Sequence, residues 1–164
     1  TFSLIAASDI MINAKSFDGN GYKDGTYFWG KFDMRGYNLT LRGGTSFSKT
    51  IVTNVDTFSC LDSSAVSSIT VEKAVTLGGR FTVTDSKVTF NGDVTVRDTV
   101  QNGGSLGWVA LSVSGKISND GTIRNNPSGN ELWLELFGDL HNNGTWKPAQ
   151  TYIVSQQKIG RAHV

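Results

Sequence analysis

The chain has 164 residues, and 15 Lys and Arg against 14 Asp and Glu give a formal net charge of +1, which offers no reason to expect nucleic acid or an anionic membrane as a partner. No apolar run approaches the roughly 20 residues that a membrane-spanning helix needs, so we expect no membrane insertion. The length suits one domain, and 19 Gly with only 2 Pro, beside many Thr, Ser, Val and Asn, favour β structure rich in turns.

The first 27 residues form an irregular segment. A mildly apolar run from Phe2 to Ile5 is followed by Ile10 and Ile12 at alternating positions. Alternation at a period of two is typical of a half-buried strand. This segment therefore predicts either an entering strand or an incomplete coil, followed by a turn-rich stretch.

The turn-rich stretch carries the oxygens of Asp18, Asn20 and Asp24, a set similar to a calcium-binding loop. It departs from an EF-hand, because Lys23 stands where the invariant Gly belongs and Trp29 stands where the bidentate Glu belongs. A plain turn is the favoured interpretation and calcium the weaker one. We predict no metal site and no cofactor.

Alternation continues through the next forty residues. Tyr27–Phe32 and Tyr37–Gly43 predict two strands, and the pattern from Ile51 to Phe58 is less clean. Cys60 is the only cysteine, so the chain has no internal disulfide and no Cys-based metal cluster. Because Cys60 follows Phe58 at strand spacing, we expect it to be a small buried apolar residue.

A single pattern of alternating apolar residues and glycine then returns at a fixed interval. It begins at Val88, Leu111 and Leu134, and the steps are 111 − 88 = 23 and 134 − 111 = 23. A related pattern begins at Ile69, only 19 residues before Val88, so we expect the earlier coils to be less regular. A fixed period in the low twenties predicts a β-solenoid, in which each coil buries its apolar row against the next.

Two columns of this repeat carry turn chemistry and are predicted to be structural. Gly92, Gly115 and Gly138 fit a bend between two strands, where a Cβ would be costly or φ is positive. Asn119 and Asn142 lie one period apart, so their amides could form a short ladder. Two ordinary hairpin turns are the rival interpretation, but the constant 23-residue step favours the solenoid.

A third column, Asp93, Lys116 and Asp139, alternates in sign, which suits coil-on-coil stacking. Asp93 and Asp139 would lie roughly 10 Å apart across two coils, near the upper separation of glycosidase carboxyls. With Arg97 and Asp98, the group could form a charged groove similar to a polysaccharide lyase site. Single charges on a solvated face are the favoured interpretation, and we predict no catalytic residue.

Two further side chains were weighed for ligand binding or catalysis. Trp133 has the opposite parity from Leu132 and Leu134, so we expect it to face outward, where it could stack on a sugar or pack laterally. His141 is the only histidine before the last six residues and is interpreted as a surface turn residue. No second His or Cys supports a transition-metal site, and no nucleophile motif or phosphate loop occurs.

The stretch from Gly30 to Gly43 resembles an early coil of pectin-lyase-like right-handed parallel β-helices. Residues 28–157 are similar to Asn-Gly-Thr-rich β-helix segments of large bacterial secreted or surface proteins, including adhesin-like ones. The resemblance implies a location outside the cell or on its surface and a non-enzymatic structural or adhesive module. The alternative is a fragment of a carbohydrate-active β-helix enzyme, either a polysaccharide lyase or a glycoside hydrolase.

We therefore predict an all-β chain in which residues 1–158 form one single-stranded parallel β-helix, right-handed, with coils of about 23 residues in its C-terminal half. Residues 159–164 resemble a translated sequencing adapter and are expected to form a non-native tail without ordered packing. The expected partner is an extracellular polysaccharide or a host or neighbouring cell surface. Open strand edges at an uncapped last coil predict end-to-end self-association.

Overall fold

The computed structural model describes residues 3–154. All of the regular structure within that range is β-strand, so it holds no helix long and apolar enough to cross a membrane. In chain order the strands are β1 (Ser3–Ile5), β2 (Ile10–Asn13), β3 (Ser16–Asp18), β4 (Asn20–Lys23), β5 (Thr26–Asp33), β6 (Leu39–Arg42), β7 (Ser46–Thr53), β8 (Thr57–Val71), β9 (Val75–Val83), β10 (Val88–Phe90), β11 (Val94–Val96), β12 (Thr99–Asn102), β13 (Trp108–Val113), β14 (Ile117–Asn119), β15 (Thr122–Arg124), β16 (Glu131–Leu136), β17 (Leu140–Asn142), β18 (Thr145–Lys147) and β19 (Gln150–Ile153).

These strands stack in parallel into a β-solenoid of about 6 coils with three faces, which confirms the predicted fold class. Face A consists of β1, β5, the end of β7, the end of β8, β10, β13, β16 and β19. Face B consists of β2, β6, the start of β8, the start of β9, β11, β14 and β17. Face C consists of β3, the start of β7, the middle of β8, the end of β9, β12, β15 and β18.

The register confirms the 23-residue step, because Val88 pairs with Leu111 and Leu111 with Leu134. The expectation that the earlier coils are irregular is wrong for face B. There Phe58 pairs with Leu77 and Leu77 with Val96, so a 19-residue step repeats. The later coils are longer because loops of five and six residues, 103–107 and 125–130, separate face C from face A.

Phenylalanine rings from all three faces fill the interior of the earlier coils. The ring centroids of Phe32 and Phe47 lie 6.1 Å apart, those of Phe47 and Phe58 5.7 Å, and those of Phe58 and Phe81 5.0 Å. All four side chains are buried, and the pairs meet edge to face, the arrangement that aromatic quadrupoles favour. The solenoid therefore has a packed core rather than a channel.

The glycine column marks close approach between coils. A Cβ added to Gly115 would lie 2.5 Å from the carbonyl carbon of Gly92 and 2.6 Å from the nitrogen of Asp93. A Cβ on Gly138 would meet the backbone of Gly115 in the same way. None of these glycines has a positive φ, so backbone contact, rather than a left-handed conformation, explains the column.

The N-terminal segment is more ordered than its sequence suggested. β1, β2 and β3 pair in parallel with the following coil, and β4 pairs antiparallel with β5 to form a hairpin beside the solenoid. Asp24 and Gly25, with φ of 50° and 78°, form its two-residue turn, as hairpins of this twist require. The interpretation of residues 17–27 as a plain turn is therefore wrong. Residues 159–164, predicted to be a tail, lie outside the described residues, and end-to-end association stays a prediction.

Candidate functional site

The three calcium candidates are not brought together. Asp18 Oδ1 accepts a hydrogen bond from the Asn20 backbone N–H at 2.8 Å, and Asp18 Oδ2 forms an ion pair with Lys49 Nζ at 3.2 Å. The backbone hydrogen bond first, and then the lysine, lower the pKa of Asp18. Asp24 lies at the other end of the hairpin, beyond four cross-strand pairs. Within residues 3–154 no group of three or more His, Cys, Asp or Glu could hold a metal ion.

The charge column Asp93, Lys116 and Asp139 does stack, because the residues that follow its members pair in register. Asp93 Oδ1 accepts the backbone N–H of Lys116 at 2.8 Å instead of forming an ion pair. All three residues are exposed. Of this column and its neighbours, only Asp98 lines a cavity.

That cavity of about 290 Å³ lies at the corner between faces B and C, and it is bounded by Cys60, Leu61, Asp62, Ser63, Gly79, Arg80 and Asp98. It exists because Cys60 pairs with Gly79 while Ser64 pairs with Phe81, so three residues of β8 face one residue of β9. The bulge places Asp62, Arg80 and Asp98 on successive coils.

Sequence reasoning missed Asp62 and Arg80 as neighbours of Asp98. The available signal was a change of step. Phe58 and Leu77 are 19 residues apart on one side of the bulge, whereas Val66 and Val83 are 17 apart on the other. A missing pair of residues in one coil indicates a bulge at that corner.

Cys60 lies beneath this cavity with a buried side chain. Burial raises the pKa of its thiol to about 12, an effect that the nearby Ser64 only partly offsets. A thiol held neutral in this way is a poor nucleophile and a poor metal ligand. The Ser64 hydroxyl is also buried, and it has no hydrogen-bond partner of acceptable geometry.

We expect Ser64→Ala to raise the free energy of unfolding by about 1 kcal/mol, because it removes a buried hydroxyl that folding desolvates without compensation. Thr45→Val is the matched control. The buried Thr45 hydroxyl donates toward the carbonyls of Ala14 at 2.7 Å and Arg42 at 2.8 Å, so its loss should destabilise by a similar amount. Urea denaturation measures both variants, and destabilisation by both would show that Ser64 has a partner in solution.

Trp133 faces outward, and it is not isolated. Its ring stacks on Trp108 with centroids 4.5 Å apart and planes 15° apart, and Tyr152 meets it edge to face at 6.0 Å. Trp108 is 50% exposed and Tyr152 46%. We call these three side chains the aromatic strip. It crosses the outer surface of face A over its last three coils.

The strip was not visible as a column of the repeat. Trp133 pairs with Ala110 and with Gln150, while Trp108 pairs with Glu131 and Tyr152 with Glu135. The three rings therefore meet along a diagonal, two residues out of register at each coil. Long aromatic side chains can bridge such diagonal neighbours.

Two carboxylates border the aromatic strip. Glu131 Oε2 accepts the Trp133 indole N–H at 2.6 Å, and Glu135 Oε2 accepts the Ser112 hydroxyl at 3.1 Å. The three strands that carry the strip contain these two Glu and no Lys or Arg. The surface is therefore aromatic and acidic.

The remaining sequence candidates have structural positions. Asn119 Nδ2 donates to Asn142 Oδ1 at 2.8 Å, so their amides are in direct contact across one coil. His141 is exposed and lies within β17 rather than in a turn. Neither contact places a nucleophile beside a base.

No family model, no curated protein and no solved structure matches this chain.

Proposed function

We propose that this chain is a non-enzymatic structural or adhesive module of an extracellular or cell-surface protein. The observation that carries the proposal is continuous parallel pairing on three faces around a packed core. About 6 coils, each adding about 4.8 Å, give a stiff body roughly 30 Å long with flat outer faces. Such a body can hold binding surfaces away from a cell.

A carbohydrate-active enzyme fragment is the second candidate, and the corner cavity is the observation that favours it. Asp62 and Asp98 border it on coils two apart, with Arg80 between them. That spacing is about 10 Å, close to the carboxyl separation of inverting glycosidases. Against catalysis, these three side chains are exposed, so neither the low dielectric nor the exclusion of water that enzymes use is provided.

A depolymerisation assay separates the two candidates. Purified chain is incubated with polygalacturonate, alginate and a neutral β-glucan, and new reducing ends and unsaturated products are measured. We expect no product above the background of a heat-denatured sample. Turnover that Asp98→Asn abolishes and Asp93→Asn leaves intact would replace the scaffold by the enzyme. Surface labelling of intact source cells with an antibody tests the location.

A further inference from the structure

We infer that the outer surface of face A at β13, β16 and β19 binds an extended neutral polysaccharide through the aromatic strip. The inference deepens the proposed scaffold function, on which it rests for its biological role. It gives the module a ligand class and a defined contact surface.

Exposure of large apolar side chains is concentrated on this surface. Besides Trp108 and Tyr152, Phe137 is 37% exposed and Val154 41%, and these last two follow β16 and β19 directly. Across the earlier coils of face A the equivalent outward row is Lys31, Ile51, Thr70 and Thr89, of which only Ile51 is apolar. An exposed aromatic patch at one end of an otherwise polar face is typical of an interaction site.

The rings have different roles. Trp133 is flanked by Trp108 and Tyr152, and its indole N–H is held by Glu131, so it is a positioning residue. Trp108 and Tyr152 are each about half exposed and provide the contact. They lie two coils apart, about 10 Å along the solenoid, which is comparable to the length of a disaccharide unit.

Charge decides between sugar classes. The C–H faces of pyranose rings are apolar and pack on aromatic rings, while their hydroxyls donate to carboxylates in charge-assisted hydrogen bonds. Glu131 and Glu135 supply such acceptors, and no Lys or Arg on these strands offsets their charge. A polyuronate would bring like charges onto this surface, so a neutral chain is favoured and polyuronates are rejected.

Affinity electrophoresis in gels containing hydroxyethyl cellulose or polygalacturonate tests the inference. We expect the full chain to be retarded by the neutral polymer and not by the polyuronate. Trp108→Ala and Tyr152→Ala should each weaken binding by about tenfold, as anchor aromatics usually do. Tyr22→Ala is the matched control, because Tyr22 is 63% exposed on the hairpin, away from the strip, and should leave binding unchanged.

Glu135→Gln tests the charge argument separately, since it keeps the shape of the side chain and should let polygalacturonate bind. Circular dichroism of each variant shows that the fold is kept. No retardation by neutral polymer, equal loss with Tyr22→Ala, or equal retention of both polymers by the unsubstituted chain would overturn the inference. Such a failure leaves the scaffold function standing, whereas depolymerisation of the gel polymer would instead overturn the scaffold function.

Discussion

Gly115→Ala is expected to lower the free energy of unfolding by about 3 kcal/mol, at the upper end of the usual cost of overpacking. The added methyl group would overlap the backbone of Gly92 and Asp93, and backbone atoms in a hydrogen-bonded coil cannot move aside as a flexible side chain can. Alanine also restricts the unfolded chain, but that effect contributes only about 0.4–1 kcal/mol in the opposite direction. Chemical denaturation followed by circular dichroism measures the difference.

Gly107→Ala is the matched control for this substitution. Gly107 lies in the loop before β13, a Cβ there would meet no atom within 4 Å, and its φ is not in the left-handed region. We expect this variant to be neutral or slightly more stable. Equal stability of the two alanine variants would show that the coils can separate at the glycine column, and that close approach does not explain the glycines.

The coil stacking was predictable because it depends on pairwise repetition, which a sequence displays directly. Val88, Leu111 and Leu134 occupy one column because each buries the same side against the next coil. The shorter 19-residue step was only partly recognised, since Leu39, Phe58 and Leu77 share a column without sharing a motif. A column needs only apolar character, and that constraint leaves a weak pattern.

The candidate sites were less predictable because neither follows a column. The aromatic strip joins residues along a diagonal, Trp108 to Trp133 to Tyr152, at sequence steps of 25 and 19. The corner cavity depends on a bulge in β8 that breaks the register between Cys60 and Ser64. Bulges and diagonal contacts depend on local twist and loop length, which a periodic pattern does not contain.

Asn119→Ala is expected to lower the free energy of unfolding by about 2–3 kcal/mol. Asn119 is fully buried, and its amide bonds three groups in the next turn and coil: Nδ2 donates to Asn142 Oδ1 at 2.8 Å and to the Thr145 carbonyl at 2.9 Å, and Oδ1 accepts the Gly121 N–H at 3.1 Å. Alanine removes all three bonds and leaves a half-buried Gly121 N–H without its partner, which is where most of the cost arises.

Asn143→Ala is the control that separates a buried amide from an exposed one. Asn143 is exposed, and its side chain makes a single hydrogen bond, from Nδ2 to Asp120 Oδ1 at 3.1 Å. Water replaces that bond readily, so we expect a change within about 0.5 kcal/mol. If thermal and urea denaturation gave equal losses for the two variants, the Asn119 amide would contribute no more than a surface contact. The stability of the last coils would then rest on apolar stacking and backbone pairing alone.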